Sequence, residues 1–228
     1  MKKQLLALAA IQIGIIVTTS QPLLAQQPVL STPAATEAEK EAFYATTIEN
    51  RVADILKALK LPDAGKAAAV HDILVAQYHE LRVRDAAIDT RLAVEGKEIN
   101  YTNRAEQLAA QSKPLHAQFL AKLDALLPPA EVEEIKDLMT YNKVKVTYDA
   151  YSQMVPGLTE AEKAKILEWL KAAREEAIDG GNAPEKSSIF QKYKDLINHY
   201  LDAQGHNTAQ AIKDWVAAHP NTNNPVTK

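Results

Sequence analysis

Residues 158–181 read LTEAEKAKILEWLKAAREEAIDGG, a stretch that contains the signals of one amphipathic α-helix with defined ends. Thr159 and Glu162 have the spacing of a capping box, in which the hydroxyl and the carboxylate each accept a hydrogen bond from a backbone amide. Apolar residues then recur every three or four positions, and Gly180-Gly181 is typical of a helix end. The apolar stripe consists of Ile166, Leu167, Leu170, Ala173 and Ala177. The stretch therefore predicts a helix with one buried face.

Upstream of this stretch, the same periodicity predicts three long helices. Thr36 begins another capping box, and its helix stops before Pro62, because the residue before a proline avoids the α conformation. Apolar stripes then predict long amphipathic helices over about residues 63–94 and 101–127. Pro114 lies inside the last of these and should kink or divide it.

Shorter elements fill the rest of the chain. A proline pair opens a helix over about residues 128–139, and further helices follow over about 184–205 and up to Pro220. Residues 141–155 are the least regular part, since 143–147 alternate like a strand while 148–154 could form a short helix. We interpret the stretch as an ordered connection. The sequence predicts an all-α fold, a multi-helix bundle in which long N-terminal helices pack against shorter C-terminal helices.

The N-terminus has the pattern of a secretory signal peptide. Two lysines precede an apolar run over residues 5–17, and Ala25 is a suitable cleavage position. That run is too short for a membrane span, which needs roughly 20 residues. Without cysteine, the chain can carry neither a disulfide nor a cysteine-linked lipid anchor. We expect export to the periplasm or the cell exterior, with no stable membrane anchor. The predicted division is a signal peptide over 1–25, a flexible spacer over 26–35, a single helical domain over 36–219 and a disordered tail over 220–228.

Composition and motifs argue against several classes of function. Two of the 26 basic residues lie in the predicted signal peptide, so the rest of the chain has 24 basic and 29 acidic residues. That balance lacks the basic excess of a nucleic-acid binder. The sequence has no nucleophile elbow, phosphate-binding glycine loop or dinucleotide fingerprint, and no histidine pair with zinc-protease spacing. These features favour a non-enzymatic protein without a cofactor or a metal.

Aromatic and polar residues cluster in the second half of the chain. Tyrosine combines a flat apolar face with a hydrogen-bonding hydroxyl, which suits a sugar ring. Five of the eight tyrosines lie between residues 141 and 200, interleaved with charged and amide side chains. Helical spacing assigns Tyr193 and Tyr200 to the core. The candidate ligand-binding residues are Tyr141, Tyr148, Tyr151, Arg174, Glu175, Asp179, Lys186, Lys192 and Asn198.

One carboxylate pair among these candidates has two interpretations. Glu175 and Asp179 are four residues apart and share a helix face with Lys171. They could act as an acid–base pair if that face lined a cleft. The favoured interpretation is a solvated face with charge pairing between residues four apart.

The second half of the chain also resembles a known family. The resemblance rests on Thr140-Tyr141, Val146–Tyr151 and Met154–Thr159, and continues through Ala173-Arg174-Glu175, Glu185-Lys186, Lys192-Tyr193-Lys194 and Ile197-Asn198 to Gly205. This pattern resembles a secreted bacterial all-helical family of unknown function that carries a sugar-binding label. The resemblance implies a binding protein that recognises carbohydrate or glycan fragments.

A second resemblance suggests a different class of function. Leu158-Thr159-Glu160-Ala161-Glu162 looks like the L-T-x-x-Q repeats of periplasmic stress chaperones, with Glu162 in place of the glutamine. The alternative function is therefore a chaperone-like helical protein that holds unfolded clients on an exposed apolar face.

Overall fold

The computed structural model describes residues 36–219, which form eight α-helices and contain no strand. The helices are α1 (Glu37–Leu59), α2 (Ala64–Val94), α3 (Tyr101–Asp124), α4 (Pro129–Met139), α5 (Lys143–Met154), α6 (Glu160–Ala177), α7 (Ala183–Ala203) and α8 (Thr208–Ala218). The predicted all-α fold is confirmed. Within the described part, no helix combines the length and the apolar character that a membrane crossing requires.

The chain divides into two compact units, Met1–Ala42 and Phe43–Lys228. In the first unit, the predicted capping box is present: the Glu39 carboxylate accepts from the Thr36 amide at 2.7 Å. The predicted signal peptide, spacer and tail lie outside the described residues, and the predicted single domain over 36–219 stays a prediction.

Two apolar cores organise the second unit. The first is formed mainly by α1 to α4, and the second by α5, α6 and α7. Ile178, at the end of α6, is fully buried in the first core, so the C-terminal helices pack onto the N-terminal ones there. Side chains at the centre of the first core include Val52, Leu74, Leu123 and Ile135, and those of the second include Ile166, Leu170, Ile197 and Leu201.

Helix α6 forms as the sequence predicts. The Glu162 carboxylate accepts from the Thr159 amide at 2.7 Å, and the Glu162 amide donates to the Thr159 hydroxyl at 3.3 Å. Four of the five stripe residues are buried, and Leu167 packs at the edge of the second core. The capping box and the apolar stripe therefore fix both the start and the buried face of this helix.

One prediction about local structure is wrong, and another is narrowed. Residues 143–154 form the continuous helix α5 rather than an ordered connection with at most a short helix over 148–154, because Val144, Thr147, Ala150 and Met154 become one buried stripe at helical spacing. Burial of that stripe outweighs the low helix propensity of its β-branched residues. Of the two outcomes predicted at Pro114, division does not occur, since α3 continues through the proline, and a kink stays a prediction.

Gly181 brings the turn after α6 close to α2. A methyl group on Gly181 would lie 1.8 Å from a carboxylate oxygen of Asp85. Asp85 cannot easily withdraw, because Arg84 and Arg104 bind the same carboxylate at 2.7 and 3.3 Å. The absence of a side chain at this position is therefore a packing requirement.

We expect Gly181→Ala to lower the free energy of unfolding by about 1–3 kcal/mol, the usual cost of overpacking. Urea denaturation measures this loss. In an Asp85→Ala background the added methyl group meets no carboxylate, so its cost should shrink. An equal loss of stability in both backgrounds would show that the contact with Asp85 does not cause the destabilisation by Gly181→Ala.

Candidate functional site

The C-terminal end of α6 is held by two buried cations. The Lys186 ammonium is fully buried and donates to the carbonyl oxygens of Ala177 and Ile178 at 2.9 and 3.2 Å. Arg84, also buried, donates to the carbonyl oxygen of Asp179 at 2.8 Å. Cations at a helix C-terminus satisfy its last carbonyls and its dipole. Burial is the main cause that lowers the pKa of Lys186 to about 7. Lys186 therefore anchors α6 within the fold.

Arg174 joins α6 to α4. Its side chain is 3% exposed and donates to the carboxylates of Asp137 at 2.9 Å and Glu175 at 3.0 Å. It also binds Glu133, which Lys136 shares at 2.8 Å. All of these partners are protein carboxylates, so the guanidinium that sequence analysis assigned to a ligand is occupied within the fold.

His116 of α3 connects the carboxylate pair that the sequence singled out. Its Nδ1 lies 3.0 Å from Asp179 and its Nε2 lies 3.9 Å from Glu175. The hydrogen bond to Asp179 is the main cause that raises the pKa of His116. The favoured interpretation of a solvated face is wrong for Asp179, which is buried, whereas Glu175 stays 36% exposed and binds Lys136 at 3.1 Å.

This cluster has the elements of proton transfer, since one carboxylate orients the imidazole and a second faces its other nitrogen. Throughout the described residues, no group of three or more His, Asp or Glu side chains is arranged to hold a metal ion.

The candidate tyrosines differ in exposure. Tyr151 is fully buried, and its hydroxyl donates to Asn198 Oδ1 at 2.7 Å; burial raises its pKa. Tyr148 is partly buried against the second core, whereas Tyr141 is 43% exposed. Tyr193 and Tyr200, assigned to the core by spacing, pack partly buried against the second core.

The nine candidates therefore do not share one open surface. The structure brings Arg174, Glu175 and Asp179 into one cluster, and Tyr151 and Asn198 into another. Lys192 lies apart on the surface of α7, where its ammonium binds Glu176 at 2.7 Å. Most of the predicted polar groups satisfy one another within the fold.

An open pocket lies elsewhere, between the end of α5 and the face of α8. Its volume is about 540 Å³. The lining comes from three places: the end of α5 with the turn after it, the turn between α7 and α8, and one face of α8. Its main polar and aromatic side chains are Gln153, His206, Asn207, Gln210, Asp214, Trp215 and His219.

Local helix chemistry positions these groups. The side chain of Asn207 caps α8 by accepting from the Gln210 amide at 3.0 Å, and the Gln210 side chain donates to Asp214 at 2.7 Å. One turn further on, the rings of Trp215 and His219 stack with centroids 4.5 Å apart and planes 22° apart. The result is a row of amide and carboxylate groups beside a pair of stacked rings.

His206, in the turn between α7 and α8, also lines the pocket. Its Nε2 lies 3.0 Å from Glu162 Oε1, while the other carboxylate oxygen of Glu162 accepts from the Thr159 hydroxyl. The capping box of α6 therefore also orients a pocket residue. Gly205 has φ 97°, a left-handed conformation that glycine adopts without strain, and this turn carries the chain from α7 to α8.

Sequence analysis missed this pocket, although one signal was present. Residues 207, 210, 211, 214, 215 and 218 recur at helical spacing on a single face of α8. That face mixes tryptophan with amides and a carboxylate, rather than presenting a uniform apolar stripe. The contributions from α5 and the α7–α8 turn are distant in sequence and require the fold.

Residues 45–219 match a family described as protein of unknown function (DUF3826), and the match covers well over half of the chain. The chain therefore belongs to this family. No curated protein matches it. The predicted membership of a family of unknown function is confirmed.

Proposed function

We propose that this protein, a member of a family of unknown function, is exported and binds neutral carbohydrate in the pocket between α5 and α8. The observation that carries the proposal is the composition of that pocket, in which a stacked Trp215–His219 pair lies beside amide and carboxylate side chains. The signal-like pattern of residues 1–25 supports export.

The pocket has the size expected of a small-ligand site. Its volume of about 540 Å³ falls inside the range of roughly 300–1,000 Å³ that such sites occupy. It is open to solvent at the surface of α8, where Gln153, Asn207, Gln210 and Asp214 are exposed. A sugar residue within a longer glycan could enter it, because the rest of the chain would extend into solvent.

The chemistry of the lining matches a sugar. The apolar face of a pyranose ring packs on flat aromatic surfaces, and its hydroxyl groups both donate and accept hydrogen bonds. Gln153, Asn207 and Gln210 offer amide donors and acceptors, and Asp214 offers a pure acceptor. Among the described lining residues there is no lysine or arginine, which favours a neutral sugar over an acidic one.

The proposal is tested by calorimetric titration of the protein with neutral mono- and oligosaccharides that contain glucose, galactose, xylose, mannose or N-acetylglucosamine. We expect binding by at least one of these, and Trp215→Ala should weaken it at least 30-fold, which corresponds to about 2 kcal/mol for a central aromatic contact.

The matched control is Trp169→Phe, since Trp169 packs edge-to-face on Tyr200 and does not line the pocket. This variant should bind like the unmodified protein. Binding that survives Trp215→Ala unchanged, or no binding to any of the sugars, would contradict the proposal.

A holdase chaperone is the second candidate function, and one observation favours it. An open groove of about 690 Å³ between α2 and α3 is lined mainly by apolar side chains, including Val83, Ala87, Pro114 and Leu115. Val83 is 71% exposed. A holdase should suppress aggregation of a reduced, unfolding client, and Val83→Asp should weaken that effect; a sugar binder should leave the client's aggregation unchanged.

A further inference from the structure

Helix α8 supplies one face of the pocket, yet it is held to the second unit by few buried side chains. Of its 11 residues, all of which the structure describes, Thr208 alone is buried, whereas α5, α6 and α7 each bury at least five. Ile212 and Trp215 pack on the second core but stay partly exposed. A helix of this length is marginal on its own, and segments with few buried contacts open at the lowest free energy. We therefore expect α8 to open before the helices on which it packs.

Two carboxylates hold the turn that leads into α8. Asp202, near the end of α7, accepts a hydrogen bond from the Thr208 amide at 2.8 Å. Glu162 of α6 accepts one from His206 Nε2 at 3.0 Å, because an ionised carboxylate has no proton to donate. The side chains of His206 and Glu162 are 18% and 9% exposed, so their contact is largely shielded from water. This contact ties the turn to a helix that lies 44 residues earlier in the chain.

Glu162 is itself fixed in position. Its second carboxylate oxygen, Oε2, accepts from the amide and the hydroxyl of Thr159 at 2.7 and 2.8 Å. The bond from the Thr159 amide is the main cause that lowers the pKa of Glu162, so the carboxylate is ionised at neutral pH. Its two oxygens thus have separate partners: one closes the cap of α6, and the other faces His206. The capping box therefore provides an oriented acceptor for the turn before α8.

We propose that Glu162 is a positioning residue for the α8 pocket, and that its contact with His206 is a latch that keeps α8 closed. Without the latch, α8 opens as a unit about the turn at Gly205, where a side chain would have no neighbour within 4 Å. Opening separates Trp215 from Gln153 at the end of α5, so the pocket exists only when α8 is closed. The consequence for sugar binding rests on the proposed function, whereas the latch itself can be tested without a sugar.

The test is hydrogen–deuterium exchange of the full-length chain, followed by mass spectrometry of peptides from each helix. In the unmodified protein, the amides of α8 should exchange faster than those of α6 and α7. His206→Ala removes the latch and keeps the capping box, so exchange in α8 should become roughly tenfold faster. The matched control is His199→Ala, since His199 is exposed on α7 and contacts a carbonyl oxygen of its own helix. This control should leave exchange in α8 unchanged.

Variants of Glu162 separate the latch from helix capping. Glu162→Gln keeps an acceptor for His206 and a side chain that a capping box accepts, so α8 should exchange as in the unmodified protein. Glu162→Ala should speed exchange in α8 as much as His206→Ala does. The double variant should be no faster there than His206→Ala, because both changes remove one contact. If Glu162→Ala speeds exchange at the start of α6 and leaves α8 unchanged, Glu162 is a cap alone and the proposal is overturned.

The sugar measurements test the link to the pocket separately. A neutral sugar that binds only the closed form, at a hundredfold excess over its Kd, should slow exchange in α8 by roughly 100-fold and leave α3 unchanged. A sugar that binds by calorimetry without slowing α8 would overturn the link between closure and binding. If none of the tested sugars binds, the proposed function fails, and the variants without sugar still decide the latch. The latch is overturned if α8 exchanges as slowly as α7, or if His206→Ala and His199→Ala exchange alike.

Discussion

Replacing Arg174 by alanine is expected to lower the free energy of unfolding by about 2–3 kcal/mol, because a buried side chain and its hydrogen bonds to charged groups are lost. The variant would leave Glu133, Asp137 and Glu175 facing one another across the contact between α4 and α6 without their shared guanidinium. Urea denaturation followed by circular dichroism gives the value directly.

Two further variants locate the cause of that loss. Lys171→Ala removes an exposed cation from the same helix and should change stability by no more than about 0.5 kcal/mol. Arg174→Lys keeps the charge but not the planar guanidinium group, so its free energy of unfolding should lie between those of the other two variants. If Arg174→Ala were as stable as Lys171→Ala, the ion cluster would contribute nothing to the free energy of unfolding. That result would contradict the structural role of Arg174 and favour the predicted ligand-binding role.

Lys186 should make the stability of this protein rise with pH above neutrality. Its pKa is about 7 in the folded chain, against 10.5 as its ordinary value. Between these two values the unfolded chain binds a proton that the folded chain does not, so raising the pH favours the folded state. The contribution from Lys186 should grow by roughly 2–3 kcal/mol from pH 7 to pH 9.5.

The comparison of the unmodified protein with Lys186→Met isolates this effect. Methionine fills similar space and cannot titrate, so the stability difference between the two proteins should shift toward the unmodified protein as pH rises. Denaturation at pH 6, 7, 8, 9 and 9.5 measures it. A difference independent of pH would mean that Lys186 keeps its proton throughout, held by the two α6 carbonyl groups.

The fold was largely predictable because its signals are local. The capping box at Thr159 and the apolar stripe of α6 involve residues within one helix, and both form as predicted. The prediction for residues 143–147 also rested on a local pattern, and it was wrong. Their alternation is also local, but the burial of Val144 and Thr147 on one helical stripe depends on α6 and α7, which local patterns do not describe.

The candidate site was harder to predict from the sequence than the fold, because it depends on contacts between residues that are distant in the chain. Glu175 and Asp179 suggest a surface pair until His116, more than 50 residues away, is placed between them. Lys186 suggests a surface cation, since lysine is rarely buried, and only the end of α6 explains its burial. The α8 pocket shows the same limit, because Gln153 and His206 reach it from other elements.

The most direct test of carbohydrate binding at the α8 pocket uses the fluorescence of Trp215. The chain has only two tryptophans, so Trp169→Phe leaves Trp215 as the sole indole reporter. Titration of this variant with the neutral sugars should shift or quench the Trp215 emission with a saturable dependence that matches the calorimetric affinity. A sugar that binds by calorimetry while the Trp215 emission stays unchanged would place the carbohydrate site away from α8 and contradict the account.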